Sequence, residues 1–507
     1  MSKPFLRESS GLVKNATLKD LVMLNVANMG AGLAVFEGIS PYIQPGSILW
    51  LTSLLTFILT LPLVYTYTSL LMRMPRTGGD YIWISRKLNS KVGAIMGVAF
   101  AFNMPPYFAL SAFFSVSAIN LVLYEIGVIN HQGELINLSN TVFVNPYGTL
   151  TLTQDLLIYA LGAIAFVIII LLNIIRPKWG FSLTTALGIF STITLILAMI
   201  VLALNVGSVR SQIPNFISEF QLSPQNTSPW SFSRASTFYM IPFFLSFAYI
   251  WLYAGPAVAA EAKEGSLKWN LYLGSIMTFL MITIPFIEMY TEIGCPTNTA
   301  YYPTFTYNFW SLAIFLSHNE ILEWILGLGL IAWNFFVMAF GVVVFARYVF
   351  AFAFDRLFPA IFAKLNKFAS PVYAHLLDLA TTLVFLALPI ISVSGASALY
   401  SYTPLALAYL ILVSLTGVKV GIEERNKPLI IGSALSTAIM SLMEGEILDP
   451  YNNYAFSVVG TSGVNWIATA YIASLVGLGL ITHITAKKMR SREGIDIDLV
   501  YKEIPPE

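Results

Sequence analysis

The sequence predicts an all-α membrane protein that crosses the bilayer about twelve times. Of its 507 residues 57% are hydrophobic and only 10% are charged, where soluble domains carry roughly 25% charge. Apolar runs of about 20 residues, the length that spans a bilayer as a helix, recur along the whole chain. Lys and Arg alternate with those runs. With the N-terminus in the cytoplasm, every Lys and Arg except Arg210 and Arg234 falls on an inside segment, as the positive-inside rule requires. That alternation demands an even number of spans and an inside C-terminus.

The runs lie near 20–42, 47–72, 92–126, 154–175, 180–206, 237–260, 270–292, 321–354, 371–393, 398–418, 427–446 and 463–486. The long polar loops, 129–153 and 207–236, are expected outside, and no soluble domain fits between spans. Met1 to Leu18 has no apolar core ahead of a cleavage site, so span one is expected to serve as its own insertion signal.

Span one holds Asn25-Val26-Ala27-Asn28-Met29-Gly30-Ala31-Gly32-Leu33. Glycine costs about 1 kcal/mol against alanine in a helix interior, and asparagine competes for backbone hydrogen bonds. Backbone groups freed at membrane depth must be met by protein, water or a ligand. Such a stretch is either a close helix contact through small residues or a break beside a polar cavity. Span six carries Phe247 to Pro256, where Gly255 and Pro256 weaken one turn. Spans three and eight are both unusually long. These features repeat after about 225 residues, or five spans. Five is odd, so the second copy is inverted in the membrane. Inverted repeats with matching broken helices point to a transporter site at the midplane. Repeat one is expected over about 18–206 and repeat two over about 237–418, with spans eleven and twelve (427–486) outside it, all in one transmembrane domain.

Four segments resemble the amino acid–polyamine–organocation superfamily of secondary transporters. Gly30-Ala31-Gly32-Leu33 is similar to its Gly-Ser/Ala-Gly-Ile signature, and Pro75-Arg76-Thr77-Gly78-Gly79-Asp80-Tyr81 to its Pro-x-x-Gly-Gly-x-Tyr loop. Ala257-Val258-Ala259-Ala260-Glu261 resembles the end of its helix six. Asp355, Pro359, Phe362-Ala363-Lys364 and Pro371-Val372 resemble its connection between helices eight and nine. Each motif is weak alone; their order and sidedness make them specific together. The resemblance implies a five-plus-five inverted-repeat fold with helices one and six broken, in which helices one, two, six and seven rock against a scaffold. It places an amino acid's carboxylate on Gly30, Ala31 and Gly32, and its ammonium on the carbonyls of Asn28, Ala248 and Trp251. A half-helix N-terminus offers free amides and partial positive charge, and a C-terminus offers carbonyls, so a zwitterion suits the pair.

The chain also departs from relatives. Leu252-Tyr253 stands where relatives often have Gly and an aromatic, and Gly255-Pro256 sits slightly late. Gly188 occupies the position of the lysine of a proton-coupled subgroup, and Phe335 to Ala346 lacks the hydroxyls of sodium-coupled relatives. The coupling ion is therefore left as a proton or none.

Glu37, two turns beyond Gly30, is an ionisable group in a membrane span and a functional candidate by default. It reads as a proton carrier, a contact for a cationic substrate, a carboxylate reaching outer water, or a protonated carboxyl hydrogen-bonded to a neighbour. Tyr249, Trp251 and Tyr253 flank the second break as gates or as bundle packing. Asn103 and Tyr107, beside Pro105-Pro106, and Asn334 either line the cavity or bond between helices. His375 and Asp378 share a helix face and read as a structural pair. Glu288 and Glu292 read as a solvated face, and Arg347 as a partner of carboxylates or lipid at the inner surface.

One cysteine, Cys295, and four scattered histidines leave no basis for a disulfide, a multi-cysteine metal site or a haem pair. No cofactor, metal or nucleic acid is expected. No nucleophile–base set is found in the spans, so the chain is read as a transporter rather than an enzyme. The expectation is an amino acid permease of the cell membrane working by alternating access. A polyamine or other organic-cation transporter is the alternative of the same fold. A channel or non-transporting sensor is the alternative of a different class.

Overall fold

The computed structural model describes residues 10–146, 150–391, 402–452, 454, 456–461 and 463–505. Among them, eleven helices are long and apolar enough to cross a membrane. Spans one to eight are Leu18–Gly38, Leu49–Arg73, Ser90–Ile129, Leu152–Ile175, Pro177–Leu204, Arg234–Ala257, Asn270–Ile293 and Glu320–Phe354. Spans ten to twelve are Tyr402–Glu423, Lys427–Leu448 and Trp466–Arg492. The expected ninth span is interrupted. Its helix runs Val372–Leu386, turns at Ala387 and resumes over Leu388–Ile391. Pro389 explains the interruption, because it lacks an amide and clashes with the carbonyl of Phe385. The remainder of that expected span, and the first residues expected in the tenth, lie outside the described residues.

Span three is long, and it is jointed. Ser90–Phe102 ends at Asn103, whose amide bonds the carbonyls of Ala99 and Phe100, and Met104–Ile129 begins a new helix. Pro105 and Pro106 occupy the first turn of the second segment, where their missing amides cost nothing. The polar outer loops contain short helices, Gly133–Thr141 and Val209–Glu219. Two more, Cys295–Tyr301 and Phe309–Leu316, follow span seven. A two-stranded ribbon, Val459–Gly460 with Gly463–Val464, precedes span twelve and is a small exception to the all-α expectation.

Burial sorts the spans into layers. The apolar window of span one is 100% buried and that of span eight 83%, whereas spans eleven and twelve reach only 28%. Spans one and eight therefore form the centre, and eleven and twelve lie at the periphery. Span four leaves Ile164, Ile168 and Leu171 exposed, a face that lipid, not water, solvates. Both described chain ends meet on one face, where Ser10 and Pro505 line a small cavity with Arg76 and Asp355. That face is called inner below, following the charge pattern.

Candidate substrate site

Span one is two half-helices. A capping box of Thr17 and Asp20 starts the first, Leu18–Met29. It ends at Gly30, which is left-handed (φ 59°, ψ 40°), a conformation open to glycine and costly for other residues. Gly30 donates its amide to the carbonyls of Val26 and Ala27, inside the first half. A new helix then begins at Ala31 and widens into a π-turn over Ala34–Gly38. No side chain caps its N-terminus, so the first-turn amides carry the positive end of a helix into the protein centre.

Span six breaks a few residues earlier than the Gly255-Pro256 pair suggests. It passes through a π-turn at Leu245–Tyr249, unwinds over residues 251–253, and restarts as Ala254–Ala257. Gly255 and Pro256 thus sit in the first turn of the restarted helix, where an absent amide is harmless.

Two asparagines of span one satisfy the groups freed by this break. Asn28 donates Nδ2 to the carbonyl of Trp251 at 2.9 Å. Asn25 accepts the amide of Gly255 at 2.9 Å and donates to Asn270 of span seven at 2.8 Å. A carbonyl end receives a donor and an amide end receives an acceptor, so spans one, six and seven are tied at membrane depth. Asn25 escaped selection as a site residue; its place three residues before Asn28, on the same helix face, was the available signal.

An aromatic group closes around the breaks. The Tyr107 hydroxyl lies 3.1 Å from where a Gly30 side chain would start, with the Phe247 carbonyl at 4.0 Å. Trp251 lies parallel to Tyr107 (centroids 6.3 Å, 14°) and tilted on Tyr402 (5.4 Å). Its indole donates to the Ser246 carbonyl at 2.7 Å. Tyr253, on the inner side of Trp251, is edge-on to Phe100 at 5.2 Å. Gly30, Ala31, Asn28, Tyr107, Trp251 and Tyr253 therefore converge.

The other candidates lie elsewhere or act differently. Gly32 turns its α-carbon to span eight, and the Trp333 ring lies 2.4 Å from where its side chain would start. Its carbonyl accepts from Trp310 at 3.3 Å. Close packing is thus one role of this glycine. Ala248 is buried in the π-turn. Tyr249 points toward spans two and seven, bonding Ser53 at 2.5 Å, and Ser53 continues to Thr283 at 2.7 Å. Asn103 ties spans ten and twelve to span three, donating to the Tyr402 carbonyl and accepting from Tyr471. Asn334 is buried, and its amide has no hydrogen-bond partner among the described residues. It lies midway between Gly327, which meets Val122, and Gly341, which meets Phe108, and so faces span three. Glu37 accepts from Ser117 at 2.6 Å and lines a separate outer cavity. At Gly188, Phe336 and Met23 fill the space a side chain would need, at 2.6 and 2.8 Å.

On the inner side, buried charged groups pair across the spans. Arg347 of span eight grips Glu261, just past span six, through two bonds of 2.6 and 2.9 Å, both side chains buried. Arg86 and Tyr81 hold Asp355 at 2.6 and 2.7 Å. Asp80 accepts the hydroxyls of Tyr67, Tyr348 and Tyr409 at 2.9, 2.6 and 3.0 Å. Burial pushes the Asp80 carboxyl up from 3.8 to about 6, against the pull of those hydroxyls. Asp80 and Glu261 appeared in the sequence only as letters of motifs; their partners are hundreds of residues away or on other spans.

A family model described as amino acid permease matches residues 21–489, from the first turn of span one into span twelve. The chain belongs to the amino acid permease family. Comparison with curated proteins gives no match. The permease is thus a multi-pass membrane protein of the transporter class.

Proposed function

We propose that this permease moves amino acids across the cell membrane by alternating access, with both termini cytoplasmic. The observation that carries the reading is the uncapped N-terminus of the half-helix after Gly30, facing the broken span six across a ring of aromatics. The substrate carboxylate sits on the amides of Ala31 and Gly32. The amide of Gly30 is already bonded within its own half-helix, so it contributes shape rather than a bond. The ammonium is held by the carbonyls of Asn28, Ala248 and Trp251, the last shared with the Asn28 side chain. Tyr107, Trp251 and Tyr253 flank the substrate, and Tyr249 braces the bundle. The clamp made by Asn25 lets spans one, six and seven move as one body against spans three, eight and ten. Apolar packing around Gly188 favours transport without an ion at that position.

The test is ligand-induced thermal shift and uptake into proteoliposomes, with amino acids, their decarboxylated amines and polyamines. Stabilisation follows RT ln(1 + [L]/Kd). Amino acids are expected to stabilise and to be taken up with saturation and counterflow. Amines lacking the carboxylate leave buried amides unpaired and bind much worse. Gly30→Val, strained at φ 59°, is expected to abolish both signals. Equal binding of amine and parent amino acid overturns the carboxylate assignment in favour of a cation transporter.

A further inference from the structure

The described chain continues beyond span twelve. Gly494 turns it back in a left-handed conformation at φ 76°, a common exit from a helix. Asp496 then caps a short turn, Ile497–Val500, by accepting the amide of Asp498. Lys487 pins this turn to span twelve through Asp498 at 2.6 Å. Ile497, Val500 and Tyr501 are buried, so the segment is packed against the protein. Span twelve itself is fixed to the proposed scaffold. Gly479 packs on the backbone of Ile95 in span three, and Arg490 donates to the carbonyls of Arg356 and Phe358 after span eight at 3.2 and 3.4 Å.

From there the segment crosses the inner face. The Arg86 guanidinium lies over the Tyr501 ring at 5.1 Å, a cation–π contact. Arg86 donates Nε to the carbonyl of Glu503 at 3.3 Å, while its Nη2 grips Asp355. Arg76 donates Nε to the carbonyl of Pro505 at 2.7 Å. Two residues beyond Arg76, Gly78 donates its amide to the Ala257 carbonyl of span six at 3.0 Å, which ties the Arg76 loop to that span. Pro505 also lines the small inner cavity, about 20 Å³, between Ala260 just past span six and Phe350, Ala351 and Phe354 at the end of span eight. A space of that size holds about one water. The segment thus starts on the scaffold and ends at the seam between spans six and eight.

We propose that residues 494–505 form a strap that holds the inner face closed, an autoinhibitory contact released when the permease opens inward. The strap rests on the alternating-access reading above. Rocking span six away from span eight carries Arg76 away from Pro505. A contact made in one state alone shifts the balance toward that state, so the strap favours the closed inner face.

The experiment reads opening with a cysteine that the strap does not cover. Val258, at the inner end of span six, is fully buried and does not line the small cavity. In a Cys295→Ser background, Val258→Cys is labelled with impermeant maleimide in inside-out vesicles. Ending the chain after Lys502 removes the contacts to Arg76 and Arg86 carbonyl partners and keeps the Ile497, Val500 and Tyr501 anchor. Labelling is expected to quicken about tenfold, within the usual range of coupling between sites. Tyr501→Leu removes the ring beneath Arg86, keeps apolar volume, and is expected to act in the same direction. It decides the matter should the shortened chain fail to fold. Thr77→Cys and Pro505→Cys, both lining the small cavity, are expected to be joined by a short bifunctional maleimide, and uptake to stop in the joined chains but not after a monofunctional reagent. Unchanged Val258→Cys labelling, failure of the pair to join, or undiminished uptake by joined chains overturns the strap. Unchanged labelling with normal amino acid uptake refutes the strap alone. Quickened labelling without amino acid uptake refutes the central reading alone.

Discussion

Replacing Glu261 by Gln removes one charge of the pair it forms with Arg347 and keeps the side-chain volume. Both partners are essentially buried, at 2% and 1% exposure, with bonds of 2.6 and 2.9 Å. The guanidinium cannot shed its proton, so in Glu261→Gln it stays charged where the fold packs it, against the Phe181 ring at 5.8 Å. Removing one partner of a buried pair costs about 3–5 kcal/mol. If the inner face opens during transport, water reaches Arg347 and that penalty is relieved in the open state alone. The closed-to-open balance then shifts toward open by up to roughly 10²–10⁴-fold, at 1.36 kcal/mol per tenfold. A cysteine at Thr77, which lines the small inner cavity with Ala260 and Ala351, reports the change through impermeant maleimide in inside-out vesicles. Labelling is expected to accelerate in Glu261→Gln and the melting temperature to fall. The double variant Glu261→Leu/Arg347→Met leaves no unpaired charge and is expected to recover the melting temperature, with slow labelling and impaired uptake because the closed face is over-stabilised. Unchanged melting and unchanged labelling in Glu261→Gln would refute the reasoning.

Asp80 is expected to make stability depend on pH. Its carboxyl lies near 6 in the fold against 3.8 ordinarily, a gap of about 3 kcal/mol. The folded protein favours the protonated form, so this stability is fully present below pH 3.8 and is lost as pH rises through 6. Asp80→Asn should flatten the melting-temperature profile between pH 4 and 6.5; an unaltered slope contradicts the assignment. Gly32→Ala should destabilise through overpacking by about 1–3 kcal/mol, because the added carbon meets Trp333 at 2.4 Å. Trp333→Leu in the same chain should restore much of the loss, and melting curves of the two variants decide it. Asn25→Leu leaves the Gly255 amide unmet and should cost about 1–3 kcal/mol, with weaker substrate binding by thermal shift. For topology, a cysteine at Asn140 should react with an impermeant maleimide in whole cells and one at exposed Lys488 should not; the reverse pattern inverts the orientation.

The membrane class, most of the span positions and the break in span one follow from the sequence by itself. Each is a local matter. An apolar run of bilayer length has few alternatives, and two glycines within three residues weaken whatever helix contains them. Pairing was decided by the tertiary structure. Whether Gly32 faces a ligand or Trp333 depends on the rotation of span one against span eight, which small residues permit but do not specify. Gly255 and Pro256 looked like the second break, yet the chain unwinds just before them, because Asn25 and Asn28 supply the acceptor and donor that let residues 251–253 leave the helix. Tyr249 and Trp251 are two residues apart in sequence, but one turns to Ser53 and the other to Tyr107, since the π-turn ends at Tyr249 and the chain leaves the helix before Trp251. Asp80 and Glu261 read as motif letters until Tyr67, Tyr348, Tyr409 and Arg347 arrive from other spans. A buried charge is tolerated only where distant residues meet it, and only the folded chain brings those residues together.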